Sequence, residues 1–252
     1  MSDDGIYSQF CPVARAAEIV ASRWTPLLLR ELLAGSTRFS ELRKGLSRMS
    51  PSLLTQRLRE LEEAGIIRKE QGEGRRGASY VVTEIGRELT PFVMALGTWG
   101  QRYVIHELAE HELDPGLLMW DVRRRLDLKA FPKQGRFLAE FTIRDAPTTR
   151  RCWWILIEEQ NAELCTQHPG YDVDLCIEAD LRTMVDVWRG YLPIQTATSL
   201  EVMTLTGTTK HASNFAKWFL LSPFAPFTPV TDVRDDAEQQ ASLRRPDRPA
   251  PR

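Results

Sequence analysis

The sequence predicts an α+β chain in two parts, and three observations carry the prediction. Residues 49–65, MSPSLLTQRLRELEEAG, read as a capped amphipathic helix preceded by a short helix and a turn. Just beyond, two short strand-like runs flank a basic, glycine-rich tip. After Asp114, Pro115 and Gly116 the pattern changes to alternating strand runs with helices between them, the mark of an α+β domain built on an antiparallel sheet. A chain of 252 residues has room for two such domains.

In chain order, residues 12–21 form a first helix with Val13, Ala17 and Val20 on one side. Residues 24–33, WTPLLLRELL, form a strongly apolar second helix that Gly35 ends. A short third helix follows, with Phe39, Leu42 and Leu46 on one face and Arg38, Arg43 and Lys44 on the other. In the fourth helix Ser50 is the N-cap, Pro51 takes the first helical position and Gly65 stops the run. Leu54, Leu58 and Leu61 are four and then three apart and make one buried stripe. Ser52, Gln56 and Arg59 then point the opposite way, with Thr55 on the flank. Such side chains match the hydrogen-bonding edges of bases in a major groove. Glu60, Glu62 and Glu63 also point outward, so an ordinary solvated face is the plainer alternative.

The order of short helix, turn and longer helix is that of a helix-turn-helix, whose second helix enters the groove while the first crosses the backbone. Residues 66–69 and 80–82 would pair as a hairpin wing, with Arg75 and Arg76 in its tip placed to enter a minor groove or clamp phosphates. Arg38, Arg43, Lys44 and Arg57 are the remaining phosphate candidates, although Arg57 lies toward the apolar flank, where it can pair internally. The whole chain is nearly neutral at net −1, but residues 38–80 hold ten Lys/Arg against six Asp/Glu. A local basic surface is what phosphate attraction requires.

Residues 87–110 read as one long helix whose apolar surface (Leu89, Phe92, Val93, Leu96, Trp99 and Tyr103, widened by Met94, Val104, Ile105 and Leu108) exceeds a single stripe. It needs a second partner, either another copy of the chain or the second domain. A symmetric homodimer is favoured, because paired half-sites suit a helix-turn-helix.

In the second half, residues 117–126 predict a helix and 136–144 a strand with Phe137, Ala139, Phe141 and Ile143 facing one way. Strands follow over 152–158, 162–167 and 172–179, then an Asp180-capped helix closed by Gly190, a short helix over 193–199, a strand over 201–206 and a last helix over 208–221. The antiparallel sheet would carry helices over one face. Aromatic residues are plentiful, and Phe141, Trp154, Met184, Trp188, Phe215 and Phe219 are the candidate lining of an apolar ligand pocket. Plain core packing is the alternative for each of them.

Two resemblances bear on this. CPVARAAEIVASRWTPLLLRELLAGSTRFSELRKGL, then MSPSLLTQRLRELEEAGIIRKE, then YVVTEIGREL with Trp99 following, resemble the HxlR-type winged-helix transcriptional regulators over residues 11–103. That resemblance implies dimeric binding to double-stranded DNA at a promoter. YDVDLCIEADLRTMVDVWRGYLPIQTATSLEVMTLTGTTKHASNFAKWFLLSPF more loosely resembles the sterol carrier fold, a holder of apolar ligands, over residues 117–224. The implied organisation is a DNA-binding and dimerisation domain over 1–112, a sterol-carrier-like ligand-sensing domain over 113–228 and a disordered tail over 229–252. A hydrophobic small molecule is the expected effector.

Other chemistry is thinly represented. Cys11, Cys152, Cys165 and Cys176 include no CxxC pair, so zinc is not expected. Cys11 stands at the start of the first helix with Arg15 one turn on; both features favour a reactive thiolate, and some HxlR-type regulators sense oxidants or electrophiles at this place. His106, Glu107 and His111 imitate a zinc-protease motif, but histidines five apart lie about 140° apart around a helix and cannot share one metal. With no phosphate loop or nucleophile elbow, a non-enzymatic, cytoplasmic protein without cofactor or membrane partner is expected. A catalytic second domain and a protein-interaction module are the alternatives.

Overall fold

The computed structural model describes residues 7–72, 77–104 and 108–227. The first part contains helices α1 (Pro12–Val20), α2 (Thr25–Leu33), α3 (Phe39–Gly45) and α4 (Pro51–Glu63), then strands β1 (Ile67–Glu70) and β2 (Ser79–Val82). Its core joins Leu28, Leu29 and Leu32 of α2, Leu42 of α3, and Leu54, Leu58 and Leu61 of α4. All seven are essentially inaccessible, so the stripe read from spacing is the buried face. The caps also match: Ser50 Oγ accepts from Leu53 N–H, and Gly65 adopts φ +71° just past the last turn.

β1 and β2 pair antiparallel, with Ile67 opposite Val82 and Glu70 opposite Ser79. The hairpin is pinned to the helices at its far end, where Tyr80 N–H donates to the carbonyl of Thr37 at 2.7 Å. At its near end Thr83 Oγ1 donates to the carbonyls of Gly65 and Ile66.

The long helix expected over 87–110 is broken into pieces. Thr83 caps a single turn, α5 (Glu84–Arg87), and α6 (Thr90–Trp99) starts anew because Pro91 belongs in a first turn. A π turn, Gly100–Val104, and a 3-10 turn, Glu110–Glu112, complete the described part of this run. The apolar periodicity ran on through these breaks, which made them invisible to a pattern of hydrophobicity alone.

The second part holds α7 (Pro115–Arg124), β3 (Arg136–Ile143), β4 (Cys152–Glu158), β5 (Asn161–Cys165), β6 (Leu175–Ala179), α8 (Leu181–Trp188), α9 (Ile194–Ser199), β7 (Met203–Gly207) and α10 (Thr209–Trp218). The five-stranded sheet runs β5-β4-β3-β6-β7. It is mixed rather than antiparallel, because β6 lies parallel to β3. Strand alternation looks the same in either direction, so sequence pattern cannot register this crossover. Asp174 anchors the returning chain: its N–H donates to the carbonyl of Leu138, and its carboxylate accepts from Leu138 N–H at 2.9 Å.

One sheet face is buried under α7, α8 and α10. Phe141, Met184, Phe215 and Phe219 meet there in one buried core, with Phe215 and Phe219 ring centroids 4.8 Å apart. Trp154 lies on the other face, where its indole N–H donates to Glu140 at 2.8 Å. Of the six residues expected to line a ligand pocket, Phe141, Met184, Trp188, Phe215 and Phe219 belong to one buried cluster, and Trp154 lies across the sheet. Trp188 also lines an opening where the two parts of the chain meet. Asp180 also departs from its expected capping role: Leu181 N–H donates to Asp145, and Asp180 instead accepts from Arg144 at 3.1 Å.

The two parts meet through a buried ion-pair cluster. Glu31 of α2 is fully inaccessible, and its carboxylate accepts from both Arg124 terminal nitrogens (2.8 and 3.2 Å), Arg30 (2.7 Å) and the Trp120 indole (3.2 Å). Gly45 leaves room for it, since a Cβ there would lie 2.0 Å from Glu31 Oε2. Gly97 plays the same part in α6, where a Cβ would strike the ring of Phe224.

Candidate nucleic-acid interface

Helix α4 presents its outer face free of the rest of the fold. Ser52, Thr55, Gln56 and Arg59 are all exposed, on the side opposite Leu54, Leu58 and Leu61. Their polar atoms are held within the helix itself. Gln56 Nε2 donates to Glu60 at 2.9 Å, Arg59 pairs with Glu63 at 3.4 Å, and Thr55 Oγ1 donates to the carbonyl of Pro51. Glu60 also takes Arg57 at 2.5 Å. Burial pushes the Glu60 carboxyl up, but hydrogen bonds from Arg57 and Gln56 and the charges of Arg57 and Arg59 outweigh this and hold it below its usual range. A nucleic-acid base competing for Gln56 would exchange one exposed hydrogen bond for another. Such an exchange costs little.

The cations beside α4 differ in placement. Arg38 and Arg43 are exposed on α3 and its cap, and Arg43 makes no ion pair among the described residues. Lys44 turns to the second part of the chain, its Nζ 5.1 Å from the centre of the Trp120 ring. Arg57 is largely buried and occupied by Glu60. Arg48, not singled out from sequence, donates to the carbonyl of His111, and the neighbouring Ser47 donates to Asp114 at 3.1 Å. The second part thus grips α2, α3 and the turn, and leaves α4 clear. Arg75 and Arg76 lie outside the described residues, as do His106 and Glu107.

Glu31 was the residue that sequence reading missed. A signal existed: it sits three positions after Leu28 and one before Leu32, on the inner side of an apolar helix. An ionised side chain there needs partners, and Arg124, 93 positions away, is the main one.

Cys11 is half-buried at the N-cap of α1, and its carbonyl accepts from Arg15 N–H. The Arg15 guanidinium is directed to Glu18 at 3.3 Å. Cys152, Cys165 and Cys176 are also half-buried, on strands β4, β5 and β6 as expected. Among the described residues no cluster of His, Cys, Asp and Glu is arranged to hold a metal, and no helix is long and apolar enough to cross a membrane.

A family model described as HxlR-like helix-turn-helix matches residues 19–108, which contain α2 to α6. The HTH-type transcriptional regulator YdeP of Bacillus subtilis is 36% identical over 94 residues, 37% of this chain and 73% of YdeP. An HTH-type transcriptional regulator of Methanothermobacter thermautotrophicus is 34% identical over 116 residues, 46% of this chain and 86% of that protein. Among solved structures, the redox regulator HypR in its reduced form is 32% identical, covering 36% of this chain and 90% of HypR, with a TM-score of 0.34.

Proposed function

The chain belongs to the HxlR-like helix-turn-helix family, and from that premise we propose that it is a dimeric, sequence-specific DNA-binding transcription regulator modulated by a small molecule. The observation that carries the reading is the free outer face of α4: four hydrogen-bonding side chains stand exposed over a fully buried leucine stripe. Ser52, Thr55, Gln56 and Arg59 contact bases in this reading, and Arg38 and Arg43 hold phosphates; Arg75 and Arg76, the phosphate candidates expected from sequence, lie outside the described residues. Lys44 and Arg57, engaged elsewhere in the unbound protein, contribute only if they leave Trp120 and Glu60.

Dimerisation uses α6 and α1. Leu96, Trp99 and Val104 are about half exposed, and Val13 is 75% exposed. α6 is apolar all round, yet only one side is taken up by Val93 against the first core and Gly97 against Phe224. An apolar helix face left in water is most simply explained by a second copy, which also supplies the second recognition helix. The domain limits of 1–112 and 113–228 and the sterol-carrier likeness belong to the same proposal, with the second domain as sensor. An effector acts there by binding the DNA-competent and incompetent states unequally.

Substitution separates the two kinds of contact. Gln56→Ala is expected to relax sequence preference, losing about 1–3 kcal/mol of discrimination at one base pair. Arg43→Ala is expected to weaken all duplexes alike and flatten the dependence of affinity on salt. Equal loss of specificity from both variants contradicts the assignment.

A further inference from the structure

A cleft of about 410 Å³ opens where the two parts of the chain meet, within the size range of small-molecule sites. One wall is apolar and largely aromatic, made by Met94 of α6, Trp188 at the end of α8, and Phe224. The other is ionic, made by Arg30, Arg124 and Asp121. Arg30 and Arg124 share the buried carboxylate of Glu31, and Arg124 also reaches Asp121. The hydrogen-bonding capacity of this wall is not used up, because the Arg30 Nε is buried with no acceptor.

We propose that this cleft binds a small aromatic carboxylate, its ring against Met94, Trp188 and Phe224 and its carboxylate on Arg30 and Arg124. The inference rests on the effector reading above and deepens it by naming the ligand class and by moving the site from the interior of the second domain to its joint with the first. Aromatic and thioether walls favour a flat ring, and guanidinium groups pair with a carboxylate through charge-assisted hydrogen bonds. The position gives the ligand leverage. Arg30 lies on α2 of the helix-turn-helix and Arg124 on α7, so an anion that shares both with Glu31 bridges the joint between the DNA-binding helices and the second part.

Calorimetric titration of the full chain with 1-naphthoate and with its neutral counterpart 1-naphthamide tests the assignment. The acid is expected to bind saturably and at least about tenfold tighter than the amide, the discrimination of one charge-assisted hydrogen bond. Arg30→Gln should erase that preference. Met94→Trp fills the cleft and Thr90→Trp obstructs it from an exposed lining position, so each should abolish binding; the second serves if the first perturbs folding. No saturable binding of the acid up to millimolar concentration, equal affinity for the amide, or binding that survives both Trp substitutions overturns the site. Affinity of the unliganded protein for DNA is measured separately, so a failure of the regulator reading is distinguishable from a failure of this one.

Discussion

Replacing Glu31 with Ala should loosen the joint between the two parts of the chain and cost about 3–5 kcal/mol, the usual effect of removing one partner from a buried ion pair. The size follows from what the carboxylate holds. It accepts two hydrogen bonds from Arg124, one from Arg30, one from the Trp120 indole and one from Ser36 Oγ at 3.3 Å. Arg124 is only 11% exposed, so water cannot replace most of what it loses. Against a typical domain stability of about 5–15 kcal/mol the loss is large. Glu31→Gln keeps one acceptor oxygen and should cost less, about 1–3 kcal/mol. Denaturant unfolding of the full chain, followed through the environment of Trp120, measures both. A cycle with Arg124→Met should return a coupling of about 1–3 kcal/mol. Gly45→Ala should act in the same direction, because its Cβ would displace the Glu31 carboxylate. A cost below about 1 kcal/mol for Glu31→Ala would place the cluster with ordinary surface pairs and refute the reasoning.

Three further outcomes follow from the same geometry. Leu58→Ala removes a fully buried side chain from the first core and should lower its stability by about 2–5 kcal/mol in denaturant unfolding, while Ser52→Ala on the opposite face should change it little. The folded-state pKa of Asp121 lies above its unfolded value because burial disfavours its charge, so the folded chain holds its proton to higher pH than the unfolded one. Stability from this group therefore falls as pH rises from the ordinary carboxylate range through the raised value, and Asp121→Asn should flatten that part of the stability profile. Leu96→Arg with Trp99→Arg should convert a dimer to a monomer by analytical ultracentrifugation and weaken binding to paired half-sites; an unchanged sedimentation coefficient counts against the α6 interface.

The parts legible in the sequence were those set by local rules. Ser50, Pro51 and Gly65 bound α4 through backbone chemistry that acts within one turn, and the leucine spacing alone identified its buried side. The second-part strands were legible through alternation, to within a few residues at their ends. What alternation does not encode is direction, so the parallel placement of β6 beside β3 was hidden. The break between α5 and α6 was hidden for another reason, since Leu89, Phe92 and Val93 keep a helical rhythm across it. The cleft was the least accessible feature. Its walls come from α2, α6, α7, α8 and the segment near Phe224, and each of those residues looks, in its own stretch of sequence, like ordinary core or surface. Aromatic richness pointed to a pocket lined by residues of the second core, where Phe141, Phe215 and Phe219 are buried against one another.

If α4 reads base edges from a rigid leucine-anchored scaffold, the genomic DNA fragments retained by the purified full chain will differ from those retained by the Gln56→Ala variant. Sequencing both sets should show enrichment of a motif with two related half-sites about one helical turn apart, degraded at one position of each half-site by the substitution. Fragments without a shared motif, or an identical motif from both proteins, would contradict base reading by α4.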